Sequence, residues 1–163
     1  MKTITLLGST GSIGTATLDV VRRRPDLFKV HSLVAGTNTA LLAEQIAEFR
    51  PSVAVVASSQ GLEDLIARLT ETNIPKSAWP ELSYGPKARV ESAVDGSVEF
   101  VLSAIVGVAG LEATYEAIRR GKRIGLANKE VLVASGELVM QAAREADSAI
   151  IPVDSEHNGA HQC

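Results

Sequence analysis

Cysteine is almost absent: Cys163 stands alone, so no intrachain disulfide can staple the fold. Charge of one sign is lacking as well. Sixteen Lys and Arg against nineteen Asp and Glu leave a net charge of −3, which offers no electrostatic footprint for nucleic acid or an acidic membrane surface. No apolar run reaches the length needed to span a bilayer. Met1-Lys2-Thr3 runs directly into an apolar stretch with neither an Arg-rich presequence nor a small-residue cleavage site, so the expectation is a cytoplasmic protein. Internal repeats, low-complexity tracts and a domain-splitting linker are missing too. What is present is 45% hydrophobic content over 163 residues, enough to bury one good core.

The apolar residues are arranged in alternating periods. Short strand-like runs recur at 4–7, 30–34, 53–56, 100–104, 123–126 and 149–153. Between them, helical spacing is carried by Ile13, Ala16, Val20 and Val21, then Leu42, Ile46 and Phe49, then Leu62, Leu65, Ile66 and Leu69. Leu111, Tyr115 and Ile118 give a fourth helix; Leu132, Val139 and Ala143 a fifth. Strands apolar on both faces and alternating with helices predict an α/β fold, a doubly wound, mostly parallel sheet of Rossmann-like type with helices on both faces. Pro25 and Pro51 stop the first two helices, and Gly121 sits at a C′-like position after the fourth. Residues 71–96, interrupted by Pro75, Pro80, Gly85 and Pro86, predict a short edge strand at 82–84, a short helix at 87–94 and Trp79 packed beneath the loop.

In an open parallel sheet ligands gather beyond the carboxyl ends of the strands, so the residues after each apolar run carry the chemistry. Gly8, Gly11 and Gly14 follow the first run in the spacing G-x-x-G-x-x-G rather than G-x-G-x-x-G. Strand, glycine turn and helix in that order suit a nucleotide diphosphate, because glycine permits close backbone approach and the helix N-terminus solvates negative charge. After the second run comes Gly36-Thr37-Asn38, without the acid that usually holds the ribose 2′-hydroxyl of NAD, which mildly favours NADP. No cation sits in that turn; Arg22, Arg23 and Arg24 are better read as a solvated helix end. Residues 103–107 follow a later run and are small and apolar enough to lie against a cofactor or simply to form a tight junction. Asn128, Lys129 and Glu130 come next, suited either to a cofactor edge or to capping a helix. The last run ends in Asp154-Ser155-Glu156-His157. Two carboxylates at alternate positions share one side of an extended chain and suit Mg²⁺ or Mn²⁺. His157 could orient substrate or shuttle protons; His31 and His161 are assigned nothing.

Together, Gly-Ser-Thr-Gly-Ser-Ile-Gly at 8–14, Ala-Asn-Lys-Glu at 127–130 and Pro-Val-Asp-Ser-Glu-His-Asn at 152–158 resemble the 1-deoxy-D-xylulose 5-phosphate reductoisomerase family. The resemblance runs from end to end of the chain. It implies an enzyme dependent on NADPH and on Mn²⁺ or Mg²⁺, which converts 1-deoxy-D-xylulose 5-phosphate to 2-C-methyl-D-erythritol 4-phosphate in non-mevalonate isoprenoid synthesis. It further implies that Thr10, Gly11, Ser12 and Ile13 hold the pyrophosphate, Gly36, Thr37 and Asn38 the adenosine side, and Asn128 and Glu130 the nicotinamide side. Lys129, Ser155 and His157 would serve substrate and catalysis, with Asp154 and Glu156 on the metal. Two departures stand out. Family members often carry lysine where this chain has Thr37, and they are much longer. The expected organisation is therefore an NADPH-binding domain over residues 1–153 and the start of a truncated catalytic domain over 154–163, from a protein that is a homodimer when whole. Alone, the chain is expected to bind cofactor without turnover. A different dehydrogenase with a similar glycine loop, such as aspartate semialdehyde dehydrogenase, would need a mid-chain cysteine nucleophile that is not there.

Overall fold

The computed structural model describes residues 1–153. Seven strands, β1 (Lys2–Leu7), β2 (Phe28–Val34), β3 (Val53–Val56), β4 (Glu81–Tyr84), β5 (Phe100–Ser103), β6 (Arg123–Leu126) and β7 (Ile150–Pro152), form one sheet. Every pairing is parallel and the order is β4-β3-β2-β1-β5-β6-β7. The helices are α1 (Ser12–Arg23), α2 (Thr39–Phe49), α3 (Ser59–Glu71), α4 (Gly85–Val94), α5 (Leu111–Arg119) and α6 (Lys129–Glu145), with 3-10 turns at Lys76–Ala78 and Gly107–Gly110.

Successive residues of a strand face opposite sides, and this alternation builds two cores. Leu6, Leu33, Ala54, Val56 and Leu102 pack with Leu18 of α1, Leu42 and Ile46 of α2 and Leu65 and Leu69 of α3. Their neighbours Leu7, Val34, Val55, Val101 and Ile124 point the other way, onto Ala88 of α4, Ala113, Ala117 and Ile118 of α5 and Val139 of α6. The apolar runs at 4–7, 30–34, 53–56, 100–104 and 123–126 are thus interior strands of a doubly wound sheet, while the run at 149–153 forms β7 at one end of the strand order.

Helix ends follow their punctuation. α1 stops before Pro25, α2 before Pro51 with Arg50 left-handed (φ 47°), and Gly121 after α5 takes φ 68°. The Pro-rich region yields the expected short edge strand and helix: β4 ends the strand order on one side, α4 begins two residues before the expected start, at Gly85, with proline in its first turn, and Trp79 packs at the periphery of the first core with Nε1 donating to the Ile74 carbonyl (3.1 Å). α6 bends at Ser135, whose φ −149° and ψ 25° are non-helical beside Gly136.

Register aligns the strand ends. Leu7 pairs with Val34 on one side and Ser103 on the other, Ser103 with Leu126, and Leu126 with Pro152. The segments after β1, β2, β5 and β6 therefore emerge in a row along one rim. The chain runs from β1 outward through β2 and β3 to β4, then crosses back to β5 on the other side of β1 and continues to the opposite edge, so β1 and β5 flank the switch point where such sheets open a crevice.

Candidate functional site

The three glycines of the first loop differ in what demands them. Gly8 has φ 94°, and a Cβ there would stand 2.6 Å from the Ala104 carbonyl oxygen, so it lets the loop lie against the segment after β5. Gly14 is buried in α1, and a Cβ would meet the Gly8 oxygen at 2.3 Å and the Ser9 oxygen at 2.6 Å. Close packing of helix on loop requires that glycine. Gly11 has neither constraint: its φ of −79° suits any residue, it is exposed, and a Cβ would find only the Gly8 oxygen at 3.5 Å. The protein leaves open space at Gly11, as a loop that receives a ligand backbone-first must.

The loop is anchored from behind. Gly8 and Ser9 N–H groups donate to the Val34 carbonyl (2.8 and 2.9 Å), and buried Gln45 of α2 donates from Nε2 to the Ser9 carbonyl (2.9 Å). Gln45 Oε1 and Ser9 Oγ, both buried, have no partner among the described residues. In front, α1 begins at Gly11 with no side-chain cap and no acid in its first turn. By contrast Asn38 caps α2 through the Leu41 N–H (3.1 Å) and Ser58 caps α3 through the Gly61 N–H (3.2 Å). The uncapped N-terminus of α1 thus presents Ser12 and Ile13 amides and the positive end of the helix dipole at the rim.

Along that rim, Gly36, Thr37 and Asn38 are exposed after β2, with nothing within 4 Å of a Cβ built on Gly36. Arg22, Arg23 and Arg24 lie at the C-terminal end of α1, away from the rim; Arg22 is bonded to Glu48 and Asp19, and Arg24 pairs with Asp26 (3.2 Å). A different cation reaches this corner. Arg68 of α3 donates from Nε to Thr39 Oγ1 (3.1 Å) and to Asp64 (2.9 Å), while the Thr39 hydroxyl bonds the same carboxylate. These contacts, Thr39 first and Arg68 second, hold the Asp64 carboxyl below its ordinary value. No sequence period marks this cluster, since its members come from two helices.

On the other side of the switch point, Asn128 caps α6 by accepting the Glu130 N–H at Oδ1 (3.0 Å). Its Nδ2 donates to the Ile105 carbonyl and to the Gly107 carbonyl (2.7 Å), and the residue is 3% exposed. The side chain is thereby fully engaged with protein, tying the segment after β5 to the start of α6. Of the two readings of this motif the structure shows the cap, which also ties the start of α6 to the segment after β5. Lys129 opens α6, Glu130 is exposed in its first turn, and Gly107 is half-buried with φ 74°. Ser103, by contrast, is buried and bonded to Thr114 Oγ1 (2.7 Å), a junction residue rather than a rim contact.

Thr10, Gly11, Ser12, Ile13, Gly36, Thr37, Asn38, Asn128, Lys129 and Glu130 all fall on this one rim. Asp154, Ser155, Glu156 and His157 lie outside the described residues. Among the described residues no three His, Cys, Asp or Glu gather to hold a metal ion, and no helix is long and apolar enough to cross a membrane. His31 lies away from the rim, on β2, with Nε2 3.7 Å from an Asp95 oxygen.

Comparison with known proteins agrees with this fold. The family model described as 1-deoxy-D-xylulose 5-phosphate reductoisomerase matches residues 4–136. A protein of that name from Solibacter usitatus (strain Ellin6076) is 63% identical over the whole of this chain, which spans 41% of that relative's length. Among solved structures, DOX-P reductoisomerase in complex with magnesium superposes with a TM-score of 0.93 at 36% identity, covering all of this chain and 40% of the other. The Zymomonas mobilis enzyme in complex with NADPH gives 0.91 at 41% identity, covering 99% and 41%. Sequence and fold therefore converge over this length, and the chain belongs to the 1-deoxy-D-xylulose 5-phosphate reductoisomerase family.

Proposed function

We propose that this chain is the NADPH-binding part of a 1-deoxy-D-xylulose 5-phosphate reductoisomerase, its residues 1–153 forming the cofactor domain and residues 154–163 opening the catalytic one. The carrying observation is the glycine loop, where Gly8 and Gly14 serve internal packing and Gly11 leaves free space before an uncapped helix. The fit to a dinucleotide is chemical as well as steric: amides and dipole meet the diphosphate, and no carboxylate lies in the loop or in the turn after β2 to repel it.

In this reading Thr10, Gly11, Ser12 and Ile13 bind the pyrophosphate, and Gly36, Thr37 and Asn38 the adenosine side. Asn128 sets the wall beside the nicotinamide by holding the carbonyls of Ile105 and Gly107, and Glu130 lies at the same edge. Lys129 and Ser155 orient the substrate, and His157 moves or holds a proton beside it. Asp154 and Glu156 supply carboxylate oxygens to Mg²⁺ or Mn²⁺. When bound, the nicotinamide supplies a hydride and the divalent ion polarises the carbonyl of 1-deoxy-D-xylulose 5-phosphate on the way to 2-C-methyl-D-erythritol 4-phosphate. The whole polypeptide works as a cytoplasmic homodimer, with neither nucleic acid nor membrane as a partner.

The test is titration of this chain with NADPH, followed by nicotinamide fluorescence, for the native sequence and for Gly11→Val. Saturable binding that the valine weakens at least tenfold, without change in the thermal melt, is the expected result. Equal affinity in the two proteins would remove the loop from the site. The same chain is expected to give no turnover of 1-deoxy-D-xylulose 5-phosphate with added metal, since it spans only 41% of a relative's length.

A further inference from the structure

The turn after β2 poses a problem of charge. A site that takes NADPH in preference to NADH needs a cation at the ribose 2′-phosphate, and Gly36, Thr37 and Asn38 contain none. The side chain of Asn38 is moreover engaged as the cap of α2. The basic residues at the C-terminal end of α1 belong to the other end of the strands, where Arg22 and Arg24 are engaged by carboxylates.

Arg68 is differently placed. Its Nε lies 3.1 Å from the hydroxyl of Thr39, the first residue of α2, and the Thr39 N–H donates back to the Thr37 carbonyl (3.0 Å). The guanidinium is therefore docked on the residue that closes the turn. Thr39 is 3% exposed whereas the Arg68 side chain is 43% exposed, so the arginine reaches this corner from the solvent side. Nε alone is used: it serves Thr39 and Asp64, and neither Nη1 nor Nη2 makes a hydrogen bond among the described residues. An arginine braced at Nε by a carboxylate has its plane held in advance and keeps its terminal fork for a second anion.

We propose that Arg68, carried on α3 and braced by Asp64 and Thr39, is the residue that accommodates the 2′-phosphate in this chain and sets its preference for NADPH over NADH. The proposal rests on the reading that the turn at 36–38 holds the adenosine end. A phosphate monoester dianion is the recognised chemistry; the arginine does for the site what a lysine at position 37 would do from within the turn.

The experiment measures dissociation constants for NADPH and NADH with this chain by fluorescence titration, comparing the native sequence, Arg68→Ala, Arg68→Met and the double variant Arg68→Ala with Thr37→Lys. Methionine keeps the aliphatic stem, so it decides the matter if alanine disturbs the packing of α3 on α2. The expected result is an NADPH constant raised about tenfold or more in both single variants, with the NADH constant within twofold of native, and NADPH preference regained in the double variant. Competition by 2′,5′-ADP should weaken in parallel while competition by 5′-ADP does not. Loss of NADPH and NADH affinity in equal measure, or of neither, would overturn the assignment and leave Arg68 as a brace between two helices. Failure of the native chain to bind either dinucleotide would instead refute the cofactor reading itself, and this inference with it.

Discussion

Adding one methyl group at Gly14 separates the internal role of the glycine loop from its ligand-binding role. In Gly14→Ala the new carbon would sit 2.3 Å from the Gly8 oxygen and 2.6 Å from the Ser9 oxygen, both backbone atoms that no rotamer change can move aside. Relief requires α1 to retreat by about 1 Å from the loop, a form of overpacking that costs about 3 kcal/mol when the obstacle is backbone. Alanine returns about 1 kcal/mol through its better helix propensity, leaving a net loss of about 2 kcal/mol. For a chain of this size that lowers the melting temperature by roughly 4–8 °C. The retreat also carries the Ser12 and Ile13 amides away from the rim, so NADPH affinity falls together with stability. Gly11→Ala makes the matched control: its Cβ meets only the Gly8 oxygen at 3.5 Å and its φ is ordinary, so stability stays within about 0.5 kcal/mol. Urea melts followed by circular dichroism, with NADPH titrations of each variant, read both quantities. A Gly14→Ala protein as stable as the native chain, or a Gly11→Ala protein destabilised as much as its partner, would refute this division of labour.

Three further outcomes are expected. Asn128→Ala removes the cap of α6 and strands two carbonyls at 105 and 107, so it should lose about 2–3 kcal/mol in a urea melt and weaken NADPH; Asn128→Ser, which keeps a capping oxygen, should recover about 1 kcal/mol of stability but little of the affinity. Asp95 is held below its ordinary value of 3.8, first by the Ser97 side chain, then by the Ser97 amide, with His31 and Lys122 adding charge. A carboxyl depressed on folding contributes stability above its unfolded pKa and loses it as pH falls through the lower folded value, so the native chain should shed stability below about pH 4 more steeply than Asp95→Asn in melts from pH 6 to pH 2. Gln45→Glu should lower NADPH affinity severalfold, because it puts an acid beneath the loop and can forfeit the bond to the Ser9 carbonyl; unchanged titrations would show that the loop is not held from behind.

Much of this molecule is local and therefore legible along the chain. Apolar runs of four or five residues reveal buried strands because both faces of a parallel sheet are covered, and Pro25, Pro51 and Gly121 mark helix ends through constraints on their own backbone. Even the interrupted stretch from 71 to 96 is readable in outline as a short strand and a short helix, although Gly85 and Pro86, expected as breaks, instead open the helix. The rim residues are readable for a related reason: in a parallel sheet every strand ends on the same side, so the position after an apolar run is already a location in space.

What the chain order could not convey depends on atoms brought together from separate elements. Three glycines in one motif look alike in sequence, yet the approach of Ala104 to Gly8 and of the loop carbonyls to Gly14 shows that two serve packing and only Gly11 stays open. Asn128 looks equally suited to capping and to contact with a cofactor until the carbonyls of Ile105 and Gly107 arrive from another strand end and occupy its amide. Arg68 has no motif around it and acquires a part only because α3 packs beside Thr39. Period and punctuation, being properties of neighbours, determined the α/β architecture and the row of candidate residues. Which of those side chains stay open along the rim and which are engaged inside the protein was decided by tertiary packing, because hydrogen-bond partners and steric clearance belong to pairs of residues far apart in the chain.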